Sequence, residues 1–183
     1  YDGCAPKQTA VVIKHSNPCG AAIANTTLEA FVAARDCDPV SAFGGIVALS
    51  GTLDDKVAQA ILEGFVEVVL AQEITPGARD LFSKKKNIRV IECDFASYLT
   101  EKQQGGYTIR NFGEEFLVQT SDNSIARPEA CEVVAGEAPS AKQLEDFELA
   151  WKVCKHVKSN TIVIAKNGQA VGVGAGQMSR VDA

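Results

Sequence analysis

The sequence has little with which to build a metal or redox centre. Two histidines, His15 and His156, and six cysteines at positions 4, 19, 37, 93, 131 and 154 are spread along 183 residues, with no C-x-x-C pair. A four-ligand zinc site therefore has no sequence support, and the spacing outlines no compact disulfide framework. Reduced, mostly buried thiols in a cytoplasmic protein are expected instead. Phosphate-binding loops of the G-x-x-x-x-G-K-[ST] and G-x-G-x-x-G kinds are missing. The most apolar stretch, Phe65 to Ala71, falls far short of the ~20 residues that a membrane-spanning helix needs. Positive charge is in deficit, with 18 lysines and arginines against 23 acidic residues and a net charge of −5. That balance excludes a polybasic nucleic-acid binder.

What is present is an ordinary globular mixture, 46% apolar and 22% charged, which excludes disorder and suits one domain or one domain with a small annex. No charged-then-apolar stretch follows Tyr1, and the chain stops soon after a glycine-rich run. Both ends are expected to be cuts through a longer polypeptide.

The β-branched run Val11 to Ile13 predicts a strand leading into a turn-rich loop, Lys14 to Gly20. Thr27 is expected to cap a helix over 28–35, which Asp38-Pro39 breaks. Ser41 to Gly45 then feeds a strand, Ile46 to Leu49, and Asp54 opens a second helix ending near Leu62. Val66 to Ala71 reads as a strand buried on both faces. Pro76-Gly77 opens a third helix, and Arg89 to Glu92 reads as another strand. This alternation predicts an α/β layered domain with a largely parallel sheet. Beyond it, Tyr107 to Arg110 and Phe116 to Gln119 look like hairpin arms, and 121–139 like a connection. Ser140 and Gln143 form a capping-box pattern. Leu144, Phe147, Trp151 and Cys154 fall on one face of the helix that follows, so that face is expected to be core. Asn167-Gly168 is a two-residue hairpin turn between apolar arms, expected to lie inside a sheet.

Few residues here can do chemistry. Lys14-His15 sits where a strand gives way to a loop, a place that presents side chains at the rim of an α/β sheet. Imidazole transfers protons near neutrality, and an ammonium stabilises charge on an oxygen. A surface lysine beside a strand-capping histidine is the alternative on these residues alone. Asp38 to Gly45 and Gly172 to Gly176 both permit close backbone approach of a ligand, or simply tight chain exits. Asn160 suits an amide ligand or a chain cap. Zinc deaminases carry H-x-E with P-C-x-x-C, but Asn17 follows His15 by two and Ala22 follows Cys19 by three. Metal-activated deamination is rejected.

Taken together, Lys14-His15-Ser16-Asn17-Pro18-Cys19-Gly20, Asp38 to Gly45, Phe65 to Val68, Trp151 to Val153, Lys158 to Asn160, Ala165 to Gly168 and Gly172 to Arg180 closely resemble one family. It is the bacterial-type bifunctional purine biosynthesis protein, specifically its AICAR transformylase (phosphoribosylaminoimidazolecarboxamide formyltransferase) part. The resemblance covers essentially the whole chain. It implies formyl transfer from 10-formyltetrahydrofolate to the amino group of aminoimidazole carboxamide ribonucleotide (AICAR), and no metal requirement. It implies a three-layer α/β/α, cytidine-deaminase-like fold with a mixed sheet and no catalytic zinc. Residues 1–183 would be the first such part of the transformylase domain, with 107–139 an irregular hairpin and connection within it. By the same match His15 looks like the proton-transfer residue and Lys14 like the transition-state stabiliser. Gly44, Glu67, Asn160 and Arg180 look like nucleotide contacts, and Val181 like a folate contact. A homodimer acting on small molecules, with neither nucleic acid nor membrane as partner, is implied too. After Val181 the family continues into a long second half, whereas here Asp182-Ala183 follow. The alternative is a non-catalytic folding or dimerisation module, inactive without that half.

Overall fold

Seven strands of alternating or continuous apolar character make one twisted sheet, held between helices. The computed structural model describes residues 6–103, 105–125, 127–179 and 181–182. β1 (Gln8–Lys14) pairs antiparallel with β2 (Asn17–Ala24) on one side and with β3 (Gly45–Leu53) on the other. β3 runs parallel to β4 (Val66–Ile74), and β4 parallel to β5 (Arg89–Glu92). Beyond β2 lie β9 (Gln169–Gly174) and then β8 (Ile162–Lys166), again antiparallel. The strand order is β5-β4-β3-β1-β2-β9-β8. The sheet is mixed, and the expectation of a largely parallel sheet is corrected. Only the β3–β4–β5 side is parallel, because β1 returns through a tight turn rather than a helical crossover. The predicted loop 14–20 is mostly β2 itself. β8 lies at the sheet edge rather than inside it.

Helix starts follow from local chemistry. Thr26, one residue before the expected cap, accepts the N–H of Glu29, whose carboxylate returns to the Thr26 N–H and completes a capping box for α1 (Thr27–Asp36). Asp38 caps the short α2 (Pro39–Ala42), and Asp54 caps α3 (Asp55–Leu62). Thr75 caps α4 (Pro76–Ser83), with proline at the first helical position, where no N–H is needed. α5 (Phe95–Gln103) is a further helix beyond those the sequence pattern predicts. Ser140 and Gln143 form the expected capping box at the start of α6 (Ala141–Lys155).

Side-chain alternation sorts the sheet into two faces. Ala10, Val12, Ala22, Val47, Leu49 and Val69 meet Phe31, Val57, Ile61 and Phe82 from α1, α3 and α4. Burying each large side chain there contributes about 1.5–3 kcal/mol. Their neighbours Ala21 and Ala170 face the other way and meet Leu149 and Val153 of α6. Helices therefore cover both faces, the α/β/α arrangement expected.

The face of α6 that packs is not the expected one. Leu149 and Val153 are buried, while Phe147 and Trp151 are 52% and 53% exposed. Asp146 explains the choice. Its carboxylate accepts the N–H groups of both Asn167 and Gly168, which pins that side of the helix to the β8–β9 turn. The thiols also differ from expectation: Cys19, Cys37 and Cys93 are half-buried, and Cys131 and Cys154 are exposed.

The chain divides into two compact units, Tyr1–Cys93 with Arg127–Ala183, and Asp94–Ala126. The second contains α5 and a hairpin of β6 (Tyr107–Phe112) and β7 (Glu115–Thr120), paired in register from Tyr107↔Thr120 to Phe112↔Glu115.

Within the first unit, β2 crosses the end of α1 with no room for a side chain. A Cβ on Gly20 would lie far inside van der Waals contact of the Ala34 carbonyl oxygen, which is backbone and cannot swing away. Gly20→Ala is expected to destabilise the chain by at least the ~1–3 kcal/mol typical of overpacking. Urea unfolding checks this, and a change under 0.5 kcal/mol would contradict the contact.

Candidate active site

β1 and β2 are joined by two residues, His15 and Ser16, at φ 50° and 64°. Both lie in the left-handed region, the pattern of a type I′ hairpin turn. Neither is glycine, so each conformation costs about 1–2 kcal/mol relative to a right-handed one. Strain of this kind collects where side-chain placement matters more than stability. Here it sets an exposed imidazole at the hairpin tip, with Lys14 and Asn17 paired directly below it.

Lys14 turns toward β3. Its Nζ donates to the carbonyls of Phe43, at 2.7 Å, and Gly44, at 3.0 Å. An ammonium has three N–H groups, so one remains to meet a ligand oxygen. Gly44 stands at φ +68°, where a Cβ would press on that same Nζ at 2.9 Å. Its own N–H donates to the Phe65 carbonyl at 2.7 Å, and the Phe43 and Phe65 rings pack with centroids 5.4 Å apart. The loop before β3 is thus fixed from both sides.

Two residues beyond Phe65 stands Glu67. Gly45 pairs with Val66 and Ile46 with Val68, so Glu67 is an extra residue in a β-bulge, the irregularity that re-aims a side chain. It is exposed. Asn160 lies before β8. Its N–H donates to the Gln177 carbonyl, its carbonyl accepts from the Gln177 N–H, and its Nδ2 donates to the Met178 carbonyl at 3.2 Å. Among the described residues, its Oδ1 has no hydrogen-bond donor and can serve as an acceptor. Val181 is 93% exposed. Arg180 lies outside the described residues.

The C-terminal ends of β1 and β9 and the starts of β3, β4 and β8 share one end of the sheet. Lys14, His15, Gly44 and Asn160 therefore lie at that end, with β1, β2 and β9 between the strands that Gly44 and Asn160 precede. A cleft of about 440 Å³ opens between the hairpin tip and the end of β9, lined by Lys14, His15, Asn17, Cys19, Asp38 and Gly172 among others. Gly44, Glu67 and Asn160 are at the same sheet end but do not line that cleft.

Electrostatics in the cleft keep its thiols neutral. Burial pushes the Cys19 thiol up, and the Asp38 carboxylate adds to the shift. Burial likewise raises Cys37. Both are poor nucleophiles, since the thiolate is the reactive form. Asp38 is held below its ordinary value by hydrogen bonding from Ser41, through the side chain and then the N–H, the latter at 2.9 Å. Among the described residues, no three His, Cys, Asp or Glu side chains gather as a metal-ligand group. No helix among them is long and apolar enough to cross a membrane.

Sequence reasoning names the Asp38 to Gly45 loop but gives no individual role to Asn17, Asp38 or Phe65; Asn17 and Asp38 line the cleft, and the Phe65 carbonyl holds Gly44. Their signals were a polar residue closing a two-residue turn, an Asp-Pro helix start, and an aromatic just before a buried strand.

These features define an α/β domain with a polar cleft at one sheet end, formed by a strained turn and glycine-bearing strand ends. The profile of the AICARFT/IMPCHase bienzyme family matches residues 3–183. The bifunctional purine biosynthesis protein PurH of Agrobacterium fabrum (strain C58 / ATCC 33970) is 43% identical over 171 residues, covering 93% of this chain and 31% of that protein. PurH of Brucella ovis (strain ATCC 25840 / 63/290 / NCTC 10512) is 46% identical over 179 residues, covering 97% of this chain and 33% of that protein. Among solved structures, apo dCMP deaminase from the cyanophage S-TIM5 is 14% identical, with a TM-score of 0.38 over 47% of this chain and 79% of that one. The chain belongs to the AICARFT/IMPCHase bienzyme family. It spans about a third of the length of the curated relatives it matches.

Two expected outcomes follow from the geometry. Replacing His15-Ser16 by Asn-Gly relieves the left-handed strain and should raise stability by about 1–2 kcal/mol, read by urea unfolding. A neutral or negative change would mean the turn is not strained. Asp38→Ala should cost about 1 kcal/mol at pH 7 through the lost cap. Because the folded-state value of Asp38 is depressed, its contribution is complete above the ordinary value of 3.8 and is lost as pH falls through the lower folded value. The stability gap between parent and variant should therefore close below pH 3.8, and a gap that persists there would contradict the assignment.

Proposed function

We propose that this chain carries the nucleotide-side half of an AICAR transformylase site and takes part in formyl transfer from 10-formyltetrahydrofolate to AICAR. The observation that carries this is the Lys14 ammonium, fixed on the Phe43 and Gly44 carbonyls, beside His15 at the strained turn. Membership of the AICARFT/IMPCHase bienzyme family supports this reading of the reaction.

The aromatic amine of AICAR is a weak nucleophile, because its lone pair is conjugated with the imidazole ring and the carboxamide. When it attacks the formyl carbon, the nitrogen becomes acidic and the carbonyl oxygen gains charge. His15 accepts the amine proton, a contribution of general-base type. Lys14 offers its remaining N–H to the developing oxyanion. The new C–N bond forms, the bond from the formyl carbon to the folate nitrogen breaks, and the leaving nitrogen takes a proton. Gly44, lacking a side chain, lets the nucleotide approach the backbone. Asn160 meets the carboxamide through its free acceptor. Glu67 and Arg180 complete the nucleotide contacts, and Val181 faces the folate. Such a site works in the cytoplasm, and in this family's reading it is completed by a second copy of the protein.

The test is incubation of the chain with AICAR and 10-formyltetrahydrofolate, following tetrahydrofolate release. Turnover is expected, and His15→Ala should lower it by about 10²-fold or more while leaving AICAR affinity within a few fold. Near-normal turnover of the variant would remove His15 from its role. If the unaltered chain binds AICAR but releases no tetrahydrofolate at high protein concentration, the chain is a non-catalytic module of the enzyme.

A further inference from the structure

We propose that Asn17 is a positioning residue that holds the His15 turn and the Asn160 loop in one fixed arrangement; the ligand this serves rests on the formyl-transfer reading above. Asn17 is the first residue of β2, half-buried and paired with Lys14 across the hairpin. Its Oδ1 accepts the backbone N–H of Lys158 at 3.2 Å, across 141 positions of sequence. Its Nδ2 faces the His15 carbonyl at 3.5 Å, at the long end of hydrogen-bond range. One amide therefore addresses the turn with one end and a distant loop with the other.

The loop it reaches is itself tied to the strand exit that follows β9. The Lys158 carbonyl accepts the Gly176 N–H at 2.8 Å, and Asn160 and Gln177 exchange backbone hydrogen bonds at 3.1 and 3.3 Å. Asn160 Nδ2 then fixes the Met178 carbonyl. Fixing Lys158 from the hairpin side thus sets where Asn160 and the chain after Gly176 stand relative to His15. The requirement is for an acceptor of amide length at the end of a two-residue turn. Asparagine meets it, aspartate keeps it, and alanine removes it. Lys158 is exposed, so water replaces the lost partner and the fold survives. What changes is the spacing between the His15 turn and the Asn160 loop.

Asn17→Ala and Asn17→Asp in the full chain test this, each first checked for an unchanged urea midpoint. Without ligand, amide hydrogen exchange read by NMR should quicken about tenfold at Lys158 and rise at Asn160 and Gly176 in the alanine variant. In the aspartate variant it should stay within about twofold of the parent. Unchanged exchange at Lys158 in Asn17→Ala would overturn the proposal, as would an aspartate variant no better than alanine. With AICAR as the calorimetric titrant, Asn17→Ala should weaken binding about five- to tenfold, the loss expected for one hydrogen bond, and Asn17→Asp should restore it. Faster exchange with undiminished AICAR affinity would also overturn it, since the contact would then be structural only. Should the parent chain take up no AICAR, the formyl-transfer reading fails, and the exchange comparison still decides whether Asn17 holds the loop.

Discussion

β1 and β2 reverse direction across two residues held at positive φ, and this constraint determines which groups meet at the cleft. A longer connection would let the strands splay and free Lys14 from its register with Asn17. With the turn closed, Lys14 and Asn17 stand opposite each other and reach in opposite directions across the sheet. Lys14 ties the hairpin to the loop before β3, and Asn17 ties it to the loop before β8. The strands on either side of the hairpin are thereby referenced to one point, and His15 is carried at its tip.

The turn gains its rigidity from what lies beneath it. Gly20 lets β2 pass close under α1, and Pro18 and Cys19 sit where Val12 pairs with Gly20 but Ile13 pairs with Pro18. The extra residue, Cys19, bends the strand and increases its local twist, the usual effect of a bulge. Proline is tolerated at such an irregularity because the ladder is already interrupted. The sequence N-P-C-G thus spends several unfavourable choices in one short stretch. Their common result is a hairpin end whose position is over-determined by packing.

The fold class was legible because it depends on patterns that repeat: β-branched runs, capping residues and breakers, each acting within a few positions. Helix starts at Asp54, Pro76 and Ser140 were read directly from such chemistry. Where two elements had to choose each other, the patterns ran out. Phe147 and Trp151 had the periodicity of a core face, yet Asp146 turned the helix so that Leu149 and Val153 went inward. β2 was masked by Pro18 and Gly20, which read as loop punctuation until β1 supplies a partner. At the site, the K-H pair and the glycines were visible as types. Asn17 and Phe65 act through contacts with residues far away in sequence, and no local spacing encodes those.

The first unit is discontinuous along the chain, with residues before 94 and after 126 sharing one fold. Among the described residues, both apolar clusters draw on residues outside 94–126. Residues 94–126 therefore form an excursion that leaves and rejoins the first unit. Closing such a loop costs conformational entropy that rises only logarithmically with length, about 0.6 kcal/mol for each doubling. The unit that carries the cleft can thus accept insertions or deletions in that excursion at small thermodynamic cost. This leaves the hairpin surface there free to change while the geometry around His15 is kept.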